Sequence, residues 1–111
     1  MAEYELSPVV LRLPIKQAWL KEIYIGNKSE EYREIKPYWT VRFKNAGLLD
    51  EKGRPIPGVI GEAVLHNGYG AKARRMYIRF LLRIGEGRPE WGAEPGREYY
   101  ILSIISRSRA V

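Results

Sequence analysis

The chain has 111 residues, 45% of them hydrophobic and 29% charged, which is the balance of one small folded domain. It contains no cysteine and a single histidine, His66, so disulfides, cysteine-ligated metals and multi-histidine metal sites are excluded. The formal net charge is +6, and arginines supply nearly all the positive charge of the second half. This balance makes a nucleic-acid partner a candidate, while a cationic protein that has no such partner is the simpler explanation of the charge alone.

The ends and hydropathy of the chain also bear on its location. No apolar run approaches the roughly 18 residues that a membrane span needs. The first ten residues lack the basic and apolar regions of a secretory signal. We therefore expect a cytoplasmic protein with no membrane partner.

The first half of the chain predicts strands separated by helical segments. A β-branched run stops near Pro14, and the apolar residues that follow recur at helical spacing until Gly26 and Asn27 end the helix. The predicted elements are a strand over 9–15, a helix over 16–25, a strand over 29–35, and a short helix or irregular packed segment over 38–49.

The second half predicts mainly strands joined by polar turns. The predicted elements are an exposed loop over 50–58, strands over 59–66, 76–84 and 99–105, a tight turn over 67–70, a loop over 85–96, and a frayed basic tail over 106–111. The whole pattern predicts a single α+β domain over 1–111, a partly closed β-barrel with one or two short helices.

The densest cluster of charged residues lies where the first helix meets the second strand. Lys28 follows the helix end, and Glu31 and Arg33 lie two residues apart, so that their side chains share one face of a strand. One interpretation is an exposed ion pair that contributes about 0–1 kcal/mol. The other is a cation–carboxylate–cation cluster that grips a phosphate or tunes Lys28 as a proton acceptor.

Aromatic and basic side chains elsewhere fit a nucleic-acid ligand. Trp39, Tyr69 and Trp91 offer flat faces on which an unpaired base stacks, although both tryptophans fit a hydrophobic core equally well. Basic residues in the 72–75 segment and in the tail, Arg107 and Arg109, predict nonspecific attraction to phosphates. His66 precedes a tight turn and is interpreted as a solvated or hydrogen-bonded loop residue.

The charged cluster resembles the signature of the ASCH domain family, which belongs to the PUA-like superfamily. Gly26, Lys28, Glu31 and Arg33 form a Gly-x-Lys-x-x-Glu-x-Arg motif after a short helix, itself preceded by Leu-Pro-Ile-Lys. The segments 66–70, His-Asn-Gly-Tyr-Gly, and 90–93, Glu-Trp-Gly-Ala, extend the likeness to a compact, stand-alone branch met in bacteria and phages.

The resemblance implies five or six strands around a cleft that binds RNA or a nucleotide. A single-stranded or flipped base is the expected target, because folded duplexes hide their base edges. No cofactor and no metal ion are expected. The predicted binding residues are Lys28, Glu31, Arg33, Trp39, Asn67, Tyr69, Arg75 and Trp91.

Family members also act as enzymes, so the resemblance leaves a second hypothesis open. One activity is hydrolysis of acetylcytidine by a lysine, a threonine and a glutamate, and the other is metal-dependent cleavage of RNA. Lys28 matches the lysine, Glu31 stands where the threonine falls, Ser29 is a neighbouring hydroxyl, and Glu62 is a loose candidate for the glutamate. Under this hypothesis Lys28 is the general base and Glu31 orients it. A purely protein-binding domain is the third possibility.

Overall fold

The computed structural model describes residues 4–110, with side chains described for residues 4–108. Five strands and two helices make up the fold. In chain order they are β1 (Glu5–Pro14), α1 (Gln17–Tyr24), β2 (Glu30–Glu34), α2 (Pro37–Asn45), β3 (Val59–Asn67), β4 (Arg74–Glu86) and β5 (Glu98–Ala110). A single 3-10 turn, Pro89–Trp91, interrupts the connection between β4 and β5.

The strands form one mixed sheet in the order β1-β3-β4-β5-β2. β1 runs parallel to β3, and the other neighbouring pairs are antiparallel. The sheet is not closed, because the edge strands β1 and β2 do not pair in the described part of the chain. The predicted α+β class is confirmed, and the strands form an open sheet.

Both helices cover the same face of the sheet. Leu13 of β1, Phe80 of β4 and Tyr100 of β5 are almost completely buried, together with Ile23 from α1 and Phe43 from α2. Each such side chain contributes roughly 1.5–3 kcal/mol of hydrophobic stabilisation. This core holds the starts of α1 and α2 beside β2, where the candidate site lies.

The segment 38–49 is helical in its first part. α2 begins at Pro37, which occupies the first turn of the helix. The fixed φ of proline suits that position, and its missing N–H is not needed there. Pro37 therefore starts the second helix only three residues after β2 ends.

The prediction of a frayed tail is wrong for the residues that the structure describes. β5 continues to Ala110 and pairs with the first half of β4, so that Arg75 lies opposite Ala110. The Arg107 Nε also donates to the carbonyl oxygen of Tyr24 at 3.3 Å. Backbone hydrogen bonds to a neighbouring strand stabilise this polar segment, and its composition alone does not reveal them. The side chain of Arg109 and residue 111 lie outside the described part.

The interpretation of His66 as a loop residue is also wrong. His66 lies within β3, is 4% exposed, and its Nδ1 is 2.9 Å from the carbonyl oxygen of Gly68. β3 extends past His66 because His66 and Asn67 pair with Arg75 and Arg74 of β4. The histidine is therefore a buried strand residue, although it is hydrogen-bonded as expected.

Candidate functional site

A pocket of about 380 Å³ opens beside β2, on the side of the sheet that is not closed. Its walls come from the end of β1, the starts of α1 and α2, and the segment 91–94 that precedes β5. Pockets for small ligands usually range from about 300 to 1,000 Å³, so a small ligand fits this volume. Five aromatic residues line it: Trp19, Tyr32, Trp39, Trp91 and Tyr99.

Lys28, Glu31 and Arg33 form the floor of the pocket, and we refer to them as the floor triad. The Lys28 Nζ lies 3.0 Å from Glu31 Oε1, and the Arg33 Nη1 donates to Glu31 Oε2 at 2.8 Å. The three side chains are only 1%, 6% and 11% exposed, in chain order. The interpretation as an exposed ion pair is therefore wrong, because the cluster is buried.

Lys28 is held on several sides. Besides its ion pair with Glu31, its ammonium donates to the carbonyl oxygen of Trp91 at 2.8 Å and lies 4.1 Å from the ring centre of Trp19. Burial lowers the pKa of Lys28, the neighbouring Glu31 opposes that shift, and the positive charge of Arg33 adds to it. The lysine thus links β2, α1 and the segment before β5 in one contact network.

Arg33 joins the two sides of the open sheet. Its Nη2 donates to the carbonyl oxygen of Pro14 at 2.7 Å, and its Nη1 also donates to that of Tyr32 at 2.8 Å. The guanidinium carbon lies 5.2 Å from the ring centre of Trp39. Because Pro14 ends β1, this side chain spans the gap between β1 and β2 at the pocket.

The segment 88–94, which we call the wall segment, is fixed by tyrosine hydroxyls. The amide of Arg88 donates to the hydroxyl of Tyr32 at 2.9 Å, and the amide of Glu94 donates to the hydroxyl of Tyr99 at 3.0 Å. Burial raises the pKa of Tyr32, so that the phenol keeps its proton. The Tyr32 hydroxyl donates a hydrogen bond to Glu30 Oε1 at 2.8 Å. These bonds keep Trp91 at the side of the pocket.

Five exposed charged residues surround the opening of the pocket, and we call them the mouth residues: Lys16, Glu34, Lys36, Glu94 and Arg97. Glu34 lies 3.6 Å from Lys36 and 3.4 Å from Arg97, which is also 3.5 Å from Glu94. No motif in the sequence distinguishes these five residues from other charged residues. The one signal is positional, since Lys16 and Lys36 each precede a helix.

The structure brings five of the eight predicted binding residues together. Lys28, Glu31, Arg33, Trp39 and Trp91 all line the pocket. Sequence reasoning missed Trp19, because its place in the apolar stripe of the first helix marked it only as a packing residue. It packs against the core and also faces Lys28.

The other three predicted residues lie at the connection between β3 and β4 and do not line the pocket. Asn67 donates to the carbonyl oxygen of Ile15 at 2.9 Å, Tyr69 is 86% exposed, and Arg75 donates to the carbonyl oxygen of Gly70 at 2.7 Å. Asn67 therefore does not line the pocket but holds the backbone of Ile15, which is one of the lining residues.

Glu62, the loose candidate for a hydrolase glutamate, lies on β3 and pairs with Arg79 at 3.3 Å, away from the pocket. Among the side chains described, no group of three or more histidine, aspartate or glutamate residues is arranged to hold a metal ion. In the same part of the chain, neither helix has the length and apolar character that crossing a membrane requires.

No protein-family model matches the chain, and neither the curated proteins nor the solved structures include a significant match to it. We therefore infer the function from the geometry of the pocket and from the residues that line it.

Proposed function

We propose that the protein binds a nucleobase in this pocket, as part of a nucleotide or of single-stranded RNA. The observation that carries the proposal is the convergence of the floor triad with aromatic residues from five separate segments on one cavity. Flat aromatic faces stack on bases of any sequence, and each stacked base contributes about 1–3 kcal/mol to binding. The cavity admits one unpaired base, and a base within a duplex is already stacked and paired.

The floor triad supplies the polar groups for the edge of the base. Three of the five N–H groups of Arg33 are used within the protein, which leaves two donors for a ligand. Glu31 accepts one bond from each neighbouring cation at its two oxygens, and a carboxylate has further lone pairs for an amino group. Lys28 is almost completely enclosed, so it acts mainly by holding Glu31 and the wall segment in place.

We propose further that this is an ASCH-type domain of the PUA-like superfamily, acting in the cytoplasm. Three observations support the assignment. The motif residues Lys28, Glu31 and Arg33 lie where a short helix passes into a strand, all three line a cavity, and that cavity occupies the opening between β1 and β2. A barrel of this type would narrow at that opening, which the bond from Arg33 to Pro14 spans.

The proposal is tested by titrating the protein with common ribonucleotides and with short single-stranded RNA. All three tryptophans of the chain line the pocket, so a bound base should quench the intrinsic fluorescence. Replacing Trp91→Leu removes one aromatic wall, and we expect it to weaken binding about 5- to 150-fold, the equivalent of one stacked base.

Tyr69→Leu is the matched control, because this exposed tyrosine lies outside the pocket. It should leave the affinity unchanged. No saturable quenching by any of these ligands, or equal losses in the two variants, would overturn the proposal.

A hydrolytic role for the same pocket is the second candidate, and the lowered pKa of Lys28 is the observation that favours it. A lysine that loses its proton more readily is a better general base near neutral pH. Acetylcytidine is the test substrate, with release of acetate as the measurement. Hydrolysis that is lost in Lys28→Met but retained in Lys21→Met, an exposed lysine outside the pocket, would establish this role.

A further inference from the structure

The pocket carries more positive than negative charge. The floor triad contributes two cations and one carboxylate, and the mouth residues contribute three cations and two carboxylates. The lining therefore has an excess of two positive charges when all of these groups are ionised. A nucleobase or a nucleoside is uncharged and leaves this excess uncompensated.

Among the mouth residues, Lys16 carries the positive charge that is least compensated by carboxylates. Glu34 is shared between Lys36 and Arg97, and Glu94 faces Arg97 alone. Lys16 forms no ion pair with any of the side chains that the structure describes. An anionic ligand group is therefore attracted most strongly to the side of the mouth where Lys16 lies.

Lys16 and Lys36 lie next to different helices but occupy the same position relative to each. Lys16 immediately precedes α1 and Lys36 immediately precedes α2. Neither helix has an acidic residue in its first turn. The partial positive charge of each helix start thus adds to the charge of its lysine. Glu34 opposes this charge at Lys36 but not at Lys16, which has no ion-pair partner among the side chains described.

We infer that the ligand of this pocket carries a phosphate group, which Lys16 and Lys36 bind at the mouth while the base lies among the aromatic walls. The inference rests on the proposed function and deepens it, since it selects nucleotides over free bases and nucleosides. A phosphate monoester has a charge of about −1.5 to −2 at pH 7, which matches the excess of the lining. Lysine ammonium groups bind such oxygens as point charges.

The experiment compares a nucleoside with its 5′-monophosphate, by calorimetric titration of the same protein at low and at physiological salt. We expect the monophosphate to bind at least about tenfold more tightly, with the difference decreasing as salt rises. In Lys16→Gln, and more so in a variant that also carries Lys36→Gln, this preference should fall several-fold, because the monophosphate loses more affinity than the nucleoside.

Lys21→Gln and Lys44→Gln are the matched controls, because these exposed lysines lie on the same two helices but outside the pocket. Both should keep the full preference for the monophosphate. Equal affinities for nucleoside and monophosphate in the wild type would overturn the inference and leave the base-binding proposal standing. Binding of neither compound would overturn the proposed function itself.

Discussion

Glu31 compensates two buried cations at once, and this determines how the floor triad responds to pH. Its two oxygens lie 3.0 Å from the Lys28 Nζ and 2.8 Å from the Arg33 Nη1. A buried charge without a partner costs several kcal/mol, whereas a paired one is tolerated. Because one carboxylate serves two cations, Lys28 is not fully compensated, and burial lowers its pKa.

The lowered pKa of Lys28 predicts a pH dependence of stability. At a pH between its pKa in the folded protein and its ordinary value of 10.5, the unfolded chain binds more protons at this site than the folded one. The free energy of unfolding of the wild type should therefore rise with pH in this window, by up to about 1.4 kcal/mol per pH unit. Urea denaturation at a series of pH values from neutral to below about 10 measures it, before tyrosines ionise.

Lys28→Met should remove this contribution, so that its stability falls behind that of the wild type as the pH rises. Lys21→Met, which removes an exposed lysine of α1, is the matched control and should follow the wild-type curve. Parallel curves for Lys28→Met and the wild type would mean that Lys28 does not titrate differently on folding.

The sequence predicted the floor of the pocket better than its mouth. Glu31 and Arg33 share a strand face at a spacing of two, so their contact follows from local geometry alone. Trp19 and Lys16 were not predicted as pocket residues, because their role depends on how α1 packs beside β2. Conversely, Tyr69 is the kind of residue that stacks on bases, but nothing in the sequence showed that its side chain does not line the cavity.

The wall segment is the element whose shape most directly sets the pocket. Gly92 follows the single 3-10 turn with φ +100°, and a Cβ added there would lie 3.1 Å from Cζ2 of Trp19. An alanine at this position would press on an aromatic wall of the pocket. Four residues later, Gly96 has φ +79°, with no atom within 4 Å of an added Cβ.

Gly92 and Gly96 provide a matched pair of variants, because both have a left-handed backbone conformation but only Gly92 lies against Trp19. Gly92→Ala and Gly96→Ala should each lose about 1–2 kcal/mol of stability from the left-handed backbone conformation. Only Gly92→Ala should also weaken nucleotide binding, because only there does the methyl group displace Trp19. Denaturant titration and fluorescence titration measure the two effects separately. An equal loss of affinity in both variants would show that the contact with Trp19 is unimportant.

Among the elements, the sequence located the five strands and α1, left open whether the segment 38–49 is helical, and placed several ends incorrectly. α1 and β2 follow from local signals, a helical stripe ended by Gly26 and an alternating run before Pro37. The end of β5 does not, because a polar run becomes a strand only when β4 supplies hydrogen-bonding partners. The start of β1 at Glu5 depends in the same way on its pairing with Val59 of β3.

In the part of the chain that the structure describes, the sheet is open between its edge strands β1 and β2, and the pocket lies at this opening. The sequence predicted a partly closed barrel but contains no local signal for how two distant strands meet at its open side. The separation of β1 and β2 at this opening depends on the core beneath α1 and α2 and on a side chain that spans the opening. In this fold the spanning side chain is Arg33, so one residue serves both the site and the sheet.

Replacing Arg33→Lys keeps the positive charge but removes the planar fork that reaches Glu31 and Pro14 together. We expect a loss of about 2–3 kcal/mol in stability, since hydrogen bonds from a charged donor are lost at a mostly buried position. Amide protons of β2 should exchange faster in native-state hydrogen exchange, because the link to β1 is broken.

Arg83→Lys is the control for the same chemical change in a more exposed setting. Arg83 donates to Glu30 of β2 at 2.6 Å, but its side chain is 50% exposed, so we expect a loss of no more than about 1 kcal/mol. Its effect on β2 exchange should be correspondingly small. If the two variants are equally stable and exchange alike, the bond from Arg33 to Pro14 does not hold the open side of the sheet, and the width of the pocket is set by the core alone.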